Sequence, residues 1–295
     1  MKIQKLQKGD TIGFVCPSHI AKRERHEKSI KTLQSLGFSV KLGQNVYKDT
    51  YGYLASEQER ADDFNGMVCD ESVKMVLFGG GEGANELLPY IDYEAIKKHP
   101  KFICSFSDGT TILNAVNSMA GITTYYGQGP GMFNDLRHYD YMQFSSHFIE
   151  SGHSEFKRKS EWRVLKGGSC EGILVGGYTR NFAMLLGSRY FRYDANQKYI
   201  LFLEDNEMFS KVAKVSSFIS HVEQSDFAKS IAGLIFGHYS EDVPMDLLKR
   251  LERFGLRHGV PVVYTDDFGH GTDHAIFPIG ARARLDADKM QMAFI

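Results

Sequence analysis

VKMVLFGGGEGANELLPYIDYEAIKKHPKFICSFSDGTTILN, residues 73–114, holds two apolar runs, a glycine-rich turn and a serine at the end of the second run. Val73–Phe78 carries no charge after Lys74, the pattern of a strand buried on both faces. Gly79, Gly80, Gly81 and Gly83 follow at once. Lys101–Phe106 reads as a second strand, ending in Ser105-Phe106-Ser107-Asp108-Gly109 before a helical pattern over Thr110–Met119. A serine on a sharp strand-to-helix turn is how a parallel sheet presents a nucleophile above the carboxyl ends of its strands. A glycine-rich turn one strand away can bring backbone N–H groups to the same point as donors for an oxyanion.

Outward from this stretch, strands and helices alternate. Thr11–Cys16 reads as a strand, Glu24–Leu36 as a helix with Ile30, Leu33 and Leu36 on one stripe, and Gly37 as its stop. Phe38–Leu42 is a strand, and Ser56-Glu57-Gln58-Glu59 is a capping box for a helix reaching Met67–Val68. Ile122–Tyr126 adds a further strand. Alternation of this kind predicts an α/β fold, a parallel sheet with helices on both faces. From about His138 to Gly168 no period is legible, so this stretch is read as the crossing between two domains: 1–150, a linker 151–170, and 171–295. In the second half, Gly172–Val175, Tyr199–Leu203, Gly233–Phe236 and Pro261–Tyr264 read as strands, Val212–Val222 and Leu247–Phe254 as helices. Asp266–Gly271 reads as a loop and Ala275–Ile295 as a β-rich closing segment.

With 295 residues the chain can bury one large core or two domains. Its formal net charge of −1 gives no field toward nucleic acid or an anionic membrane. The longest apolar runs, such as Ile231–Phe236, are too short to span a bilayer, and no apolar segment follows the lysines of MKIQKLQKGD, so no secretory signal is expected. Cys16, Cys69, Cys104 and Cys170 form no C-x-x-C pair. Disulfides and zinc are therefore not expected, and a reducing cytoplasm is the default location.

Ser107 needs a base to act as a nucleophile at neutral pH. His270, between two glycines just after a strand, is the candidate. Its orienting acceptor would be Glu204, at the end of Leu201-Phe202-Leu203, with Asp205 as the neighbouring rival. Oxyanion donors would be the N–H of Asp108 and an N–H of the Gly80–Gly81 turn. Other readings compete. Ser107 could be a helix N-cap, and Gly79–Ala84 also fits G-x-G-x-x-A, a dinucleotide signature, although Pro89 interrupts the following segment. Cys104 reads as core and His238 as structural. Asp266-Asp267 with His270 lacks a third metal ligand at a recognised spacing, and His274 carries no separate signal.

Together these segments resemble the LD-carboxypeptidase family of serine peptidases, which includes the microcin C immunity proteins. The resemblance lies in Gly80–Pro89 (GGEGANELLP), Ser105-Phe106-Ser107-Asp108, Leu201–Asp205, Phe268-Gly269-His270 and Phe277–Ala283 (FPIGARA). Smaller echoes are Cys16-Pro17-Ser18, Tyr53-Leu54-Ala55, Tyr126-Gly127 and Val175-Gly176-Gly177. It implies a flavodoxin-like N-terminal domain bearing Ser107 and a smaller, swivelling β/α C-terminal domain supplying Glu204 and His270. It also implies an oxyanion hole of the Gly81 and Asp108 N–H groups, a metal-free and cofactor-free amidase, and a homodimer. The implied reaction is release of the terminal D-Ala from murein tetrapeptides during cytoplasmic cell-wall recycling. A second branch cleaves the amide joining an aminoacyl or peptidyl group to a nucleotide-like antibiotic, and a non-catalytic binding module is a further alternative. Three positions depart from the family pattern: Gly79 where arginine is frequent, Ser105 for glycine, and Tyr178 where Gly-Gly-Asn is usual. With no cation at 79, Arg180 becomes the candidate partner of a substrate carboxylate, and Gly80 a backbone contact.

Overall fold

In the computed structural model, which describes residues 3–150 and 155–295, the chain forms two units, Met1–Ser151 and Gly152–Ile295. Residues 1–2 and 151–154, the first of the lysine-bearing N-terminus and of the expected linker, lie outside the described residues.

The first unit is built on β1 (Thr11–Val15), β2 (Ser39–Leu42), β3 (Val73–Phe78), β4 (Phe102–Ser105) and β5 (Thr124–Tyr126). All pairs are parallel, and the strands lie in the order β2-β1-β3-β4-β5. This is the flavodoxin-like doubly wound order, in which the chain reverses direction across the sheet between β1 and β3. The crevice at that switch point collects the segments after β1 and after β3, and ligands bind there in open sheets. β3 is buried at every position but Lys74, because helices cover both faces. Those helices are α1 (Arg23–Ser35), α2 (Glu57–Cys69), α3 (Tyr93–Lys98) and α4 (Thr110–Ala120). The capping box forms: Ser56 Oγ accepts from the Glu59 N–H, and Glu59 accepts from the Ser56 N–H at 2.9 Å.

Residues 138–149 of the stretch that shows no period are helical. α5 (His138–Phe144) runs into a π turn, Ser145–Ile149. The π turn resets the angular step between residues, so a 3.6-residue stripe cannot run through it. Phe144 and Phe148 nevertheless reach the core, with their rings 5.3 Å apart.

The second unit holds β6 (Arg163–Lys166), β7 (Ser169–Tyr178), β8 (Tyr199–Glu204), β9 (Ile231–His238), β10 (Val262–Gly269), β11 (Phe277–Ile279), β12 (Arg282–Asp286) and β13 (Gln291–Phe294). β7, β8, β9 and β10 are parallel neighbours. β12 and β13 extend one edge and β6 the other, all antiparallel. α6 (Thr179–Leu185), α7 (Val212–Gln224) and α8 (Met245–His258) complete the unit. β8 is buried throughout, including Glu204.

Two expectations need correcting here. Arg163–Lys166, inside the expected linker, is a sheet strand. The expected loop over Asp266–Gly271 is strand as far as Gly269. Its acids looked like loop residues, yet Asp267 is buried and accepts from the N–H groups of Lys159 and Ser160 and from Trp162 Nε1. A buried carboxylate with a full set of donors is compatible with a strand interior. Among the described residues no helix is long and apolar enough to cross a membrane.

Candidate active site

In the first unit, β4 runs into a 3₁₀ turn over Ser107–Gly109 and then into α4. Ser107 sits at φ +56°, a left-handed conformation that L residues other than glycine rarely occupy. Holding a serine there costs on the order of 1–3 kcal/mol and persists only when the surroundings over-determine it. They do so from several sides. The Ser107 N–H donates to the Tyr126 hydroxyl at 3.0 Å, Thr110 Oγ1 donates to the Ser107 carbonyl at 2.6 Å, and the Gly109 N–H donates to the Phe106 carbonyl at 3.1 Å. The N-cap position of α4 is Gly109 rather than Ser107.

The glycine turn lies directly against this serine. A Cβ on Gly80 would stand 2.5 Å from Ser107 Cβ and 2.9 Å from its Oγ, so only glycine lets the backbone come this close. Gly81, at φ +149°, turns against the Ser18 carbonyl, and the Glu82 N–H donates to that same oxygen at 2.9 Å. Asp108 ties the two turns together, accepting from the Ala84 N–H at 2.7 Å. After the glycines the chain makes only a four-residue 3₁₀ helix, Ala84–Leu87. The dinucleotide reading fails on this point, since it requires a full helix opening at the turn. Two of the departing positions lie in close contacts. The His19 ring fills the space beside Gly79, with Cε1 3.2 Å from where a Cβ would be, and the Ser105 hydroxyl occupies the space beside Gly109.

In the second unit, Glu204 ends β8 and His270 follows β10. His270 Nδ1 lies 2.8 Å from Glu204 Oε2. Gly237 and Gly269 make room for the carboxylate: added Cβ atoms would stand 2.9 Å from Glu204 Cβ and 3.2 Å from its Oε2. Burial alone would disfavour the imidazolium, but the charge and hydrogen bond of Glu204, with Asp205 adding, hold the His270 pKa above its ordinary 6.5, while Arg180 opposes them. A carboxylate on Nδ1 fixes the tautomer and leaves Nε2 as the proton acceptor.

Of the two adjacent acids, Glu204 is the one bonded to His270. Asp205 is buried, and burial together with the neighbouring Glu204 charge pushes its pKa up to about 7, against the hydrogen bond from the Asn206 N–H and the smaller pull of Ser210 and His270. Arg180 lies over the Tyr178 ring, 5.3 Å from its centroid. The Tyr178 and Phe209 rings flank His270, with centroids at 5.1 and 5.3 Å. Ser107 and Gly80 thus belong to the first unit, and Glu204, His270 and Arg180 to the second.

Sequence reasoning missed a second histidine–carboxylate pair. His238 Nδ1 lies 2.8 Å from Asp266 Oδ1, which also accepts from the Tyr264 hydroxyl. The hydrogen bond to Asp266 raises the His238 pKa against its burial. A Cβ on Gly271 would meet the His238 ring, so this pair supports the backbone just beyond His270. The pair was not legible because its members are distant in sequence and meet only through the β9–β10 register.

Residues 12–127 match the LD-carboxypeptidase N-terminal domain, and residues 171–285 match the LD-carboxypeptidase C-terminal domain. The chain belongs to the LD-carboxypeptidase family. That makes it a serine-type peptidase or amidase. The "Probable murein peptide carboxypeptidase" of Bacillus subtilis is 28% identical, over 97% of this chain and 91% of its own length. The microcin C7 self-immunity protein MccF of Escherichia coli is 24% identical, over 97% of this chain and 93% of its own. MccF has been solved in complex with aspartyl sulfamoyl adenosine, and that structure matches with a TM-score of 0.87 over 98% and 97% of the two chains. A MccF-like protein from Bacillus anthracis matches with a TM-score of 0.88 at 25% identity, over 99% and 98%. The LD-carboxypeptidase fold therefore extends over nearly the whole chain.

Proposed function

We propose that this LD-carboxypeptidase family member hydrolyses a peptide bond through Ser107, Glu204 and His270, releasing the terminal D-Ala of a murein tetrapeptide. The observation that carries the proposal is the buried His270–Glu204 hydrogen bond, which supplies an oriented base for the strained serine of the same chain. His270 Nε2 takes the Ser107 proton as the serine oxygen attacks the scissile carbonyl, and Glu204 steadies the imidazolium. The N–H groups of Gly81 and Asp108 hold the oxyanion, each contributing about 2.7–4 kcal/mol by analogy with known donors. His270 then gives its proton to the leaving amine. Water, activated by the same imidazole, frees the acid and restores Ser107. Arg180 pairs with the substrate's terminal carboxylate, a charge-assisted bond worth roughly 1.5–3 kcal/mol. The proposal includes a cytoplasmic place in cell-wall recycling and a homodimer, both implied by the family resemblance.

A second reading rests on an exposed aromatic ring. Phe209, 53% exposed beside His270, offers a face on which the base of an aminoacyl-nucleotide, the kind of ligand with which MccF has been solved, could stack. Incubation with murein tetrapeptide and with aminoacyl-sulfamoyl adenosine, with products followed by mass spectrometry, separates the two readings. Ser107→Ala should abolish either activity and labelling by a fluorophosphonate. Hydrolysis by Ser107→Ala at the wild-type rate would refute the triad, and no turnover of either substrate by wild type would favour a binding module.

A further inference from the structure

A second cluster of reactive side chains lies within the first unit, at the switch point between β1 and β3. Cys16 follows β1 directly, His19 is three residues on, and His26 lies in the first turns of α1. Among the described residues these form a group of three whose ligand atoms all lie within 4.8 Å of one another. Cys16 Sγ is 3.7 Å from His19 Nε2 and 4.0 Å from His26 Nε2. Cys16 and His26 are buried, at 6% and 5% exposure, while His19 is half-buried. The Nδ1 atoms of both rings are buried, and each Nε2 lies against the sulfur, while the Gly80 backbone also acts on His19. A thiol has one proton to donate and cannot serve both imidazoles at once. Apolar groups enclose the sulfur: Ala21 and Val46 pack with Cys16, and Phe14 and Tyr47 face the His26 ring.

We propose that Cys16, His19 and His26 bind one zinc ion, with a fourth position left open. Tetrahedral zinc with Zn–S of about 2.3 Å and Zn–N of about 2.0–2.1 Å needs sulfur-to-nitrogen edges of roughly 3.6 Å. The observed separations meet that with movements of a few tenths of an ångström. One thiolate and two imidazoles suit a borderline ion, and the absence of oxygen donors from the set disfavours magnesium and calcium. Binding breaks the S–H bond and forms Zn–S, releasing the Cys16 proton to solvent. The half-buried His19 gives the ion its way in. The absence of a C-x-x-C pair spoke against zinc, but that test misses a site whose sulfur has histidine partners. The ion would fasten the segment after β1 behind the glycine turn, because the His19 ring packs beside Gly79 and Ser18 beside Gly81. This inference is independent of the hydrolase reading.

The test uses the full chain, stripped with a chelator and titrated with cobalt(II). A near-ultraviolet thiolate-to-cobalt band and visible bands of four-coordinate cobalt should saturate at one equivalent and vanish when zinc is added. Zinc should also protect Cys16 from alkylation, read by peptide mass spectrometry. Cys16→Ser should lose the thiolate band, and His19→Gln should bind more than about tenfold more weakly, with circular dichroism reporting the fold of each. Should Cys16→Ser fail to fold, His19→Gln and the alkylation of wild type carry the test. The site is overturned if wild type gives no thiolate band, if the band survives in folded Cys16→Ser, if His19→Gln binds as tightly as wild type, or if zinc leaves Cys16 open to alkylation.

Discussion

Replacing Glu204 by glutamine removes one charge from a buried pair while keeping the shape of the side chain. Glu204 is fully buried, the His270 side chain is 15% exposed, and the two lie 2.8 Å apart. A hydrogen bond to a charged group in such a setting contributes roughly 1.5–3 kcal/mol. At about 1.36 kcal/mol per unit, that is about one to two units of His270 pKa. Burial then prevails and the pKa falls below 6.5, the reverse of its present direction. If the amide oxygen still accepts from Nδ1–H, kcat/KM falls by about 10- to 150-fold. If the amide turns its NH2 toward the ring, the wrong tautomer is favoured and the loss approaches roughly 10⁴. The pH profile distinguishes these losses from simple damage. The neutral imidazole is the working form, so the acid limb of kcat/KM tracks the His270 pKa and should move to lower pH in the variant. Stability should show the matching sign. A raised folded pKa stabilises fully below 6.5 and that contribution is lost as pH rises through the folded value, so the variant's deficit should shrink with rising pH. An acid limb that stays where it was, with kcat/KM unchanged, would refute the role assigned to this pair.

Two further outcomes follow from groups near the site. Asp205, raised from 3.8 to about 7 mainly by burial, carries a destabilising penalty that is absent below 3.8 and complete once pH has risen past about 7, on the order of 4 kcal/mol in total. Asp205→Asn should therefore gain stability relative to wild type between pH about 4 and about 8 in denaturant titrations, and a constant difference across that window would contradict it. Ser107→Gly and Ser107→Ala should both be inactive, but the glycine variant should be roughly 1 kcal/mol more stable, since alanine retains the left-handed strain that glycine avoids. Equal midpoints in thermal and chemical unfolding would remove the strain argument.

The alternation of apolar runs and capping signals made the first unit's strands legible, because buried parallel strands and capped helices obey local rules. The same holds for the serine after β4, the glycines after β3 and the acid ending β8. What escaped was decided by contacts between distant segments. The π turn after α5 erased the helical stripe around Phe144 and Phe148. The donors from Lys159, Ser160 and Trp162 turned an acidic, loop-like segment into β10. The His238–Asp266 pair and the Cys16–His19–His26 group each need segments brought together by the sheet, and no spacing rule keyed to cysteine pairs announces either.

Asp108 stands next to the serine, and its carboxylate grips the Ala84 amide, bracing the turn after β3 against the turn after β4. A mutational screen scored on turnover alone would not separate the tie made by the carboxylate of residue 108 from the donor role proposed for its backbone N–H. Breaking that tie would blur the distance between attacking oxygen and waiting amides without deleting either, a fault that heating or a viscous solvent would expose more clearly than any change of substrate.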